Sequence, residues 1–226
     1  MKKLFIIIML IMILTACSIN GGSVINDSIP TSNNNVTNNS TSSLNKINFE
    51  YMTVNITWPP FFEAQKLIDY IDLVFIGEVI DITFRIVDKT TAKTPTEDTE
   101  ERHKELGTIY HVIVNKTYKG STLEQIQVEF LGGLRDYKVE EQLKLFEEYN
   151  MPNVIYLSNR PDMKIGETYL FLASSIVKDE PVSTVDPLQS IYNIKKPYAK
   201  PAGISVQDVI SHFGEDKWKE FLEIWG

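Results

Sequence analysis

Cysteine is almost absent from this sequence. The 226 residues contain one, Cys17. A single cysteine excludes a disulfide within the chain, a CxxC redox motif and a zinc site built on paired cysteines. Because Cys17 lies close to the start of the chain, the remainder offers no thiol for nucleophilic catalysis.

Histidine and the common catalytic motifs are scarce as well. The three histidines, His103, His111 and His212, lie far apart and lack the HExxH spacing of a zinc site. A metal site of His111 with Glu129 or Asp81 is a geometric alternative to the simpler prediction that His111 projects outward from a strand. The chain also lacks the GxSxG, GxGxxG and P-loop signatures. We therefore predict no catalytic residue, no metal and no cofactor, and enzymatic activity stays open.

Positive charge is in deficit. The chain has 22 lysines and arginines against 30 aspartates and glutamates, which gives a net charge of −8. Nucleic-acid affinity comes mainly from cationic side chains, so nucleic acid is excluded as a predicted partner. The same balance disfavours electrostatic adhesion to anionic lipid.

No long apolar run is present either, but a short one stands at the start. Leu4 to Leu14 are apolar over about eleven residues, the length of a signal-peptide core, whereas a membrane-spanning helix needs about 20. The run ends in Leu14-Thr15-Ala16-Cys17, which resembles the lipobox of bacterial lipoproteins. The resemblance implies cleavage before Cys17 and attachment of diacylglycerol and palmitate-type acyl chains to Cys17. Residues 1–16 would then be a signal peptide, and the lipid on Cys17 would hold the protein on the extracytoplasmic face of the cell membrane.

Two other interpretations of this segment remain open. It is an ordinary secretory signal cut near Ala16, or it is a buried core helix. The Asn-rich composition and Ser18 after the cysteine are compatible with a Gram-positive bacterium.

Residues 17–48 form the predicted link between anchor and folded domain. They are rich in Asn, Ser and Thr and contain too little apolar surface for a core, so we expect a disordered tether. We predict a barrel domain over residues 49–203 and a helical segment over residues 204–226 that packs on it.

Hydrophobic patterning predicts a mainly β domain with added helices. The apolar, β-branched runs predict strands, and the 3.6-residue periodicities and the Ser205 cap predict helices. Strands are expected at 73–87, 108–118, 125–131, 154–157, 168–173 and 188–194, and helices at 61–70, 136–149, after Ser205 and at 215–225. The long first strand carries Gly77, which permits a sharp bend. A bent strand shared by both halves of a small barrel is typical of an OB-type fold, so we predict an α+β, OB-fold-like five-stranded barrel.

Four sequence blocks carry a second resemblance. "YIDLVFIGEVIDI", "YHVIVNKTYKG", "IQVEFLGG" and "KIGETYLFLA" resemble, in order, the strands of netrin-like modules, a group that includes the tissue inhibitors of metalloproteinases. The similarity covers about residues 62–175 and implies the barrel fold. Those inhibitors act through a free N-terminal cysteine and contain disulfides, whereas here Cys17 lies upstream of the domain. The resemblance therefore implies no inhibitory residue.

Few residues stand out as candidates for ligand binding. Glu78 interrupts the most apolar strand, His111 lies in the second strand, and Arg160 lies in the turn "LSNRPD". The alternatives are an edge-facing Glu78 and a turn stapled by Arg160 with Asp162. Because OB-type barrels bind with an open sheet face and its loops, we expect the binding surface near His111, residues 88–105 and residues 157–162.

The C-terminal helix adds an aromatic stripe. Trp218, Phe221, Leu222 and Trp225 recur at the spacing of one helix face. The stripe either packs on the barrel or contacts a protein or the membrane interface, with Trp218 and Trp225 as binding residues.

These observations predict a membrane-anchored, extracytoplasmic lipoprotein that acts as a binding module. Its expected partners are the membrane, through Cys17, and an envelope protein or wall component. The alternatives are a cell-envelope enzyme with an unrecognised site and a structural scaffold of an envelope complex.

Overall fold

Two strands of sixteen residues, β2 (Leu73–Asp88) and β3 (Lys104–Lys119), form the centre of the fold. They belong to a computed structural model that describes residues 48–54, 60–158, 160–161, 163–184, 186–195 and 203–226. Cys17, the predicted signal peptide and all but the last residue of the predicted tether lie outside these residues. Asn159 and Asp162 of the predicted turn lie outside them too.

The other described elements are short. The remaining strands are β1 (Glu50–Val54), β4 (Gln125–Leu131), β5 (Val154–Ser158), β6 (Thr168–Ser174), β7 (Val182–Thr184) and β8 (Ile191–Asn193). The helices are α1 (Ala64–Tyr70), α2 (Val139–Glu148), α3 (Pro187–Ser190), α4 (Val206–Ser211) and α5 (Glu215–Trp225), and a 3₁₀ turn spans Glu101–His103. No helix among the described residues combines the length and apolar character needed to cross a bilayer.

Five of the described strands close into a ring. β2 pairs with β3, β3 with β4, and β2 with β6, all antiparallel. The short strand β7 completes the ring, antiparallel to β6 and parallel to β4. The order β2-β3-β4-β7-β6 is that of an OB-type barrel. Because β7 pairs with each neighbour over only two residues, the ring is not a regular barrel. The predicted fold class, mainly β with added helices, is confirmed.

A glycine in β2 lets the two long strands meet closely. The pairing of β2 with β3 shifts register between Ile76 and Gly77. A Cβ atom on Gly77 would lie 2.4 Å from the Val112 side chain and 2.7 Å from the Ile113 carbonyl oxygen. The predicted bend therefore coincides with a position that has no room for a side chain.

The buried apolar residues form three clusters. Alternate residues of a strand face opposite sides, so β2 contributes to one cluster on each side of the sheet. The ring interior holds Phe75, Val79, Tyr110, Val112 and Phe171. A second cluster lies between the outer side of β2 and β6 and helices α1, α4 and α5. A third joins the end of β2 to α2 and β5.

The C-terminal part differs from the sequence prediction in detail. Residues 188–194 were predicted as one strand, but α3 occupies the first half, with the Asp186 side chain accepting a hydrogen bond from the Leu188 amide. Only β8 remains extended. β1 and β7 were not predicted, because five and three residues of mixed polarity carry little periodic signal.

Candidate functional site

The outer face of β3 and β4 carries a concave surface lined in part by polar side chains. His111 lies between the buried residues Tyr110 and Val112, so it projects outward, as the alternation predicts. Its Nε2 atom lies 2.8 Å from the Thr83 hydroxyl on β2. Gln127 is the register partner of His111 on β4, and its side chain is exposed.

A cleft of about 330 Å³ opens beside His111, and we refer to it as the His111 cleft. Its sheet side carries the polar groups of His111, Gln125 and Gln127. Its other wall comes from the segment that leads from β6 into β7. The described residues that line it are His111, Leu123, Gln125, Ile126, Gln127, Asp179, Glu180, Pro181 and Val182. The surface therefore combines amide, imidazole and carboxylate groups with an aliphatic rim.

An arginine fork fixes the loop wall of the cleft to the sheet. Arg85 on β2 donates through Nε and Nη2 to both carboxylate oxygens of Glu129, at 2.6 and 2.8 Å. Its Nη1 donates to Glu180 at 2.6 Å. Glu180 lines the cleft, so the same guanidinium joins β2, β4 and the loop before β7.

The ion pair of Arg85 with Glu129 is largely buried, unlike an ion pair on the surface. Glu129 is 7% exposed and Arg85 19%. The hydrogen bonds that Arg85 donates to Glu129 raise the pKa of Arg85 above its ordinary value, against the opposing effect of burial, and Glu180 raises it further. The arginine is therefore a fixed cation between two carboxylates.

The strand between Arg85 and Glu129 provides the room for their contact. Gly107 on β3 is the register partner of Arg85. A Cβ atom at Gly107 would stand 2.6 Å from the Glu129 carboxylate oxygen. The missing side chain lets the ion pair cross directly over β3.

Hydrogen bonds with Asp88 and Arg85 hold the charged segment before β3. The buried Asp88 carboxylate accepts from the amide and hydroxyl of Thr90, at 2.8 and 2.6 Å. Burial opposes ionisation of Asp88, but these hydrogen bonds and those of Thr91 lower its pKa overall. The Ala92 carbonyl also accepts from Arg85 at 3.4 Å, which links this segment to the fork.

Arg160 lies away from the His111 cleft. Its Nη2 donates to the Thr108 hydroxyl at 3.0 Å and to the Gly133 carbonyl at 2.8 Å. Its guanidinium carbon stands 5.8 Å from the centre of the Tyr110 ring and 5.6 Å from that of Phe130. Arg160 also lines a second cleft of about 380 Å³ with residues 133–136 and 157–158. The structure thus separates Arg160 from His111, although the sequence predicts both on one binding surface.

Glu78, Trp218 and Trp225 do not line the His111 cleft. Glu78 is half-buried in β2, opposite Ile113 on β3 and Thr168 on β6. The Trp218 and Trp225 rings flank Phe221 at 5.1 and 5.5 Å and pack against the cluster under the helices. The aromatic stripe therefore packs on the ring for most of its length, while Leu222 stays 46% exposed.

Asp81 and Glu129, the alternative metal ligands beside His111, each have a cationic partner in the structure. Asp81 lies 3.7 Å from the Lys138 ammonium group, and Glu129 is held by Arg85. Among the described side chains, no group of three histidines, aspartates or glutamates is arranged to hold a metal ion.

The chain has no match among known protein-family models, and no curated protein is significantly similar to it. The resemblances to lipoproteins and netrin-like modules therefore stay predictions from the motifs. Sequence reasoning missed Arg85 and Glu180, and it considered Glu129 only as an alternative metal ligand beside His111 rather than as an ion-pair partner. The signal for Glu129 was a lone carboxylate in the apolar strand "IQVEFL". Its partner Arg85 lies 44 residues away in the sequence, and Glu180 lies 95 residues from Arg85, so no local pattern connects the three.

Proposed function

We propose that the protein is a lipid-anchored binding module of the bacterial cell envelope, and that it receives its ligand in the His111 cleft. The observation that carries the proposal is the fork of Arg85, which holds the loop wall of the cleft against the sheet. A buried ion pair is not an efficient source of stability, so its placement under a cleft is better explained by a need for fixed shape.

The position of the cleft in the ring supports a binding role. In OB-type barrels the ligand surface is the face of the second and third strands with the adjoining loops. Here those strands are β3 and β4, and the adjoining loops are the segments before β3 and before β7. The His111 cleft uses both strands and the second of these loops.

The lining favours a ligand rich in hydrogen-bond donors with an apolar edge. Gln125 and Gln127 offer exposed amides, and Asp179 and Glu180 offer carboxylates. Leu123 and Pro181 supply the aliphatic rim. An extended peptide segment has this chemistry. The described lining residues include no lysine, arginine, phenylalanine, tyrosine or tryptophan, which are the side chains that most often hold the backbone and stack on the bases of single-stranded nucleic acids.

The anchoring half of the proposal rests on Leu14-Thr15-Ala16-Cys17 and the short apolar run before it. Two acyl chains hold a protein stably on a bilayer, whereas one gives marginal binding. We expect Cys17→Ala to release the protein from the membrane fraction and to abolish labelling by an alkyne fatty acid. A membrane-bound, labelled Cys17→Ala variant would contradict lipidation at this residue.

The binding half is tested by chemical crosslinking in cells, affinity capture of the full-length protein and mass spectrometry. The cleft variant is Gln125→Ala with Gln127→Ala, and the matched control is Lys144→Ala on the exposed side of α2. Both change exposed side chains, so both should fold. We expect partners captured by the wild type and the control to be lost from the cleft variant. Equal capture by all three proteins would place binding elsewhere.

A further inference from the structure

The sheet formed by β1 and β5 is unusually open. These two strands pair in parallel from Glu50 with Val154 to Val54 with Ser158. One face packs inward through Tyr51 and the fully buried Ile155. The other face leaves Met52 49%, Val54 38% and Tyr156 39% exposed.

A two-stranded parallel sheet with one exposed face is expected to need a further partner for stability. Parallel sheets are normally covered on both faces, and two isolated strands are marginal in water. The backbone groups along an exposed edge strand also invite pairing with another strand. Within the described part of the chain, β1 pairs with β5 alone.

The backbone of β1 presents a definite pairing pattern. The Glu50 amide donates to the Asn153 carbonyl at 3.1 Å, so Glu50, Met52 and Val54 direct their amides and carbonyls toward β5. Alternation then directs the amides and carbonyls of Tyr51 and Thr53 toward the open edge. Antiparallel pairing can satisfy these four groups in pairs.

We propose that β1 pairs antiparallel with β1 of a second copy of this chain, about a two-fold axis at Met52. Tyr51 of each copy then exchanges both backbone hydrogen bonds with Thr53 of the other, and the two Met52 residues face each other as a non-hydrogen-bonded pair. Glu50, the one charged residue of β1, lies opposite Val54 of the other copy rather than opposite its own equivalent. Self-pairing in this register therefore brings no like charges together.

The chain that precedes β1 favours a second copy as the occupant. Residues 17–48, the proposed tether, precede β1 in the sequence, so lipidation of Cys17 would confine the β1 strands of neighbouring copies near one membrane surface. A five-residue contact is far smaller than a stable interface, and the pairing is therefore weak in dilute solution and promoted by confinement at the membrane. Only this dependence on the membrane rests on lipidation; the pairing itself does not depend on the ligand cleft.

Disulfide trapping tests the proposal, because Cys17 is the only cysteine of the chain. Met52→Cys is made in the full-length protein, with and without Cys17→Ala. Facing residues of a non-hydrogen-bonded pair lie about 4.5 Å apart between Cα atoms, within disulfide range. The matched control is Glu140→Cys, on the exposed side of α2. Mild oxidation is applied to membranes and to concentrated purified protein, and dimers are measured on non-reducing gels.

We expect at least about tenfold more dimer from Met52→Cys than from Glu140→Cys, because only the first lies at a paired position. Adding Thr53→Pro should abolish the dimer, since proline removes the outward amide and leaves the pairing with β5 intact. Equal trapping of both cysteines, trapping that survives Thr53→Pro in a folded protein, or no dimer in either preparation would overturn the proposal. Circular dichroism of each variant verifies that the fold is retained.

Discussion

Replacement of Arg85 by alanine tests the fork beneath the His111 cleft. Arg85 is 19% exposed and makes two hydrogen bonds to Glu129, which is 7% exposed. Removal of one partner from a fully buried ion pair costs about 3–5 kcal/mol, whereas an exposed pair contributes about 0–1 kcal/mol. Because water can enter beside the truncated side chain, we expect Arg85→Ala to lower the free energy of unfolding by about 2–3 kcal/mol.

Urea unfolding followed by tryptophan fluorescence measures this loss. For a domain of this size the melting temperature should fall by about 2–4 °C for each kcal/mol. The matched control is Glu180→Gln, whose partner contact is single and whose side chain is 22% exposed, and it should cost about 1 kcal/mol or less. The double variant Arg85→Ala with Glu129→Gln should lose less than the sum of the single losses, because the uncompensated buried charge is then absent. A loss below about 0.5 kcal/mol for Arg85→Ala would mean that the fork contributes no more than an exposed ion pair does.

Three other changes have defined outcomes. Gly77→Ala should cost about 2 kcal/mol in urea unfolding, since its Cβ would stand 2.7 Å from the Ile113 carbonyl; a neutral result would contradict the close strand contact. Ser205→Ala should cost about 1 kcal/mol, because Ser205 caps α4 through the Asp208 amide at 3.1 Å, and an unchanged urea midpoint would argue against the cap. Burial, with a smaller effect of Glu220, raises the pKa of Tyr118 to about 12. The contribution of neutral Tyr118 to stability is therefore complete below about pH 10 and is lost as the pH rises toward 12. The urea midpoints measured at pH 9 and pH 11 should differ less in Tyr118→Phe than in the wild type.

The main strands were predictable from composition and alternation. Residues 73–87 were predicted as a strand and the structure gives Leu73–Asp88, because a long β-branched run leaves little choice of backbone. The outward direction of His111 followed from the same alternation. Local pattern and local structure agree wherever an element is long enough to show its period.

Long-range partners were not predictable in the same way. The contact of Arg85 with Glu129 depends on β3 lying between their strands and on Gly107 leaving space there. The hydrogen bonds of Arg160 to Thr108 and Gly133 likewise depend on how the ring closes. Neither side chain shows its partner by spacing, so the site emerged only with the topology.

Site-directed photocrosslinking tests whether a ligand binds in the His111 cleft. A benzophenone side chain is placed at Gln127 inside the cleft, or at Lys144 outside it, in the full-length protein in living cells. We expect a discrete crosslinked species from position 127 that is absent from position 144. Its yield should fall in Arg85→Ala, because the loop wall of the cleft then loses its contact with the sheet. The same crosslinked species from both positions, or none from position 127 in a correctly localised protein, would contradict binding in the His111 cleft.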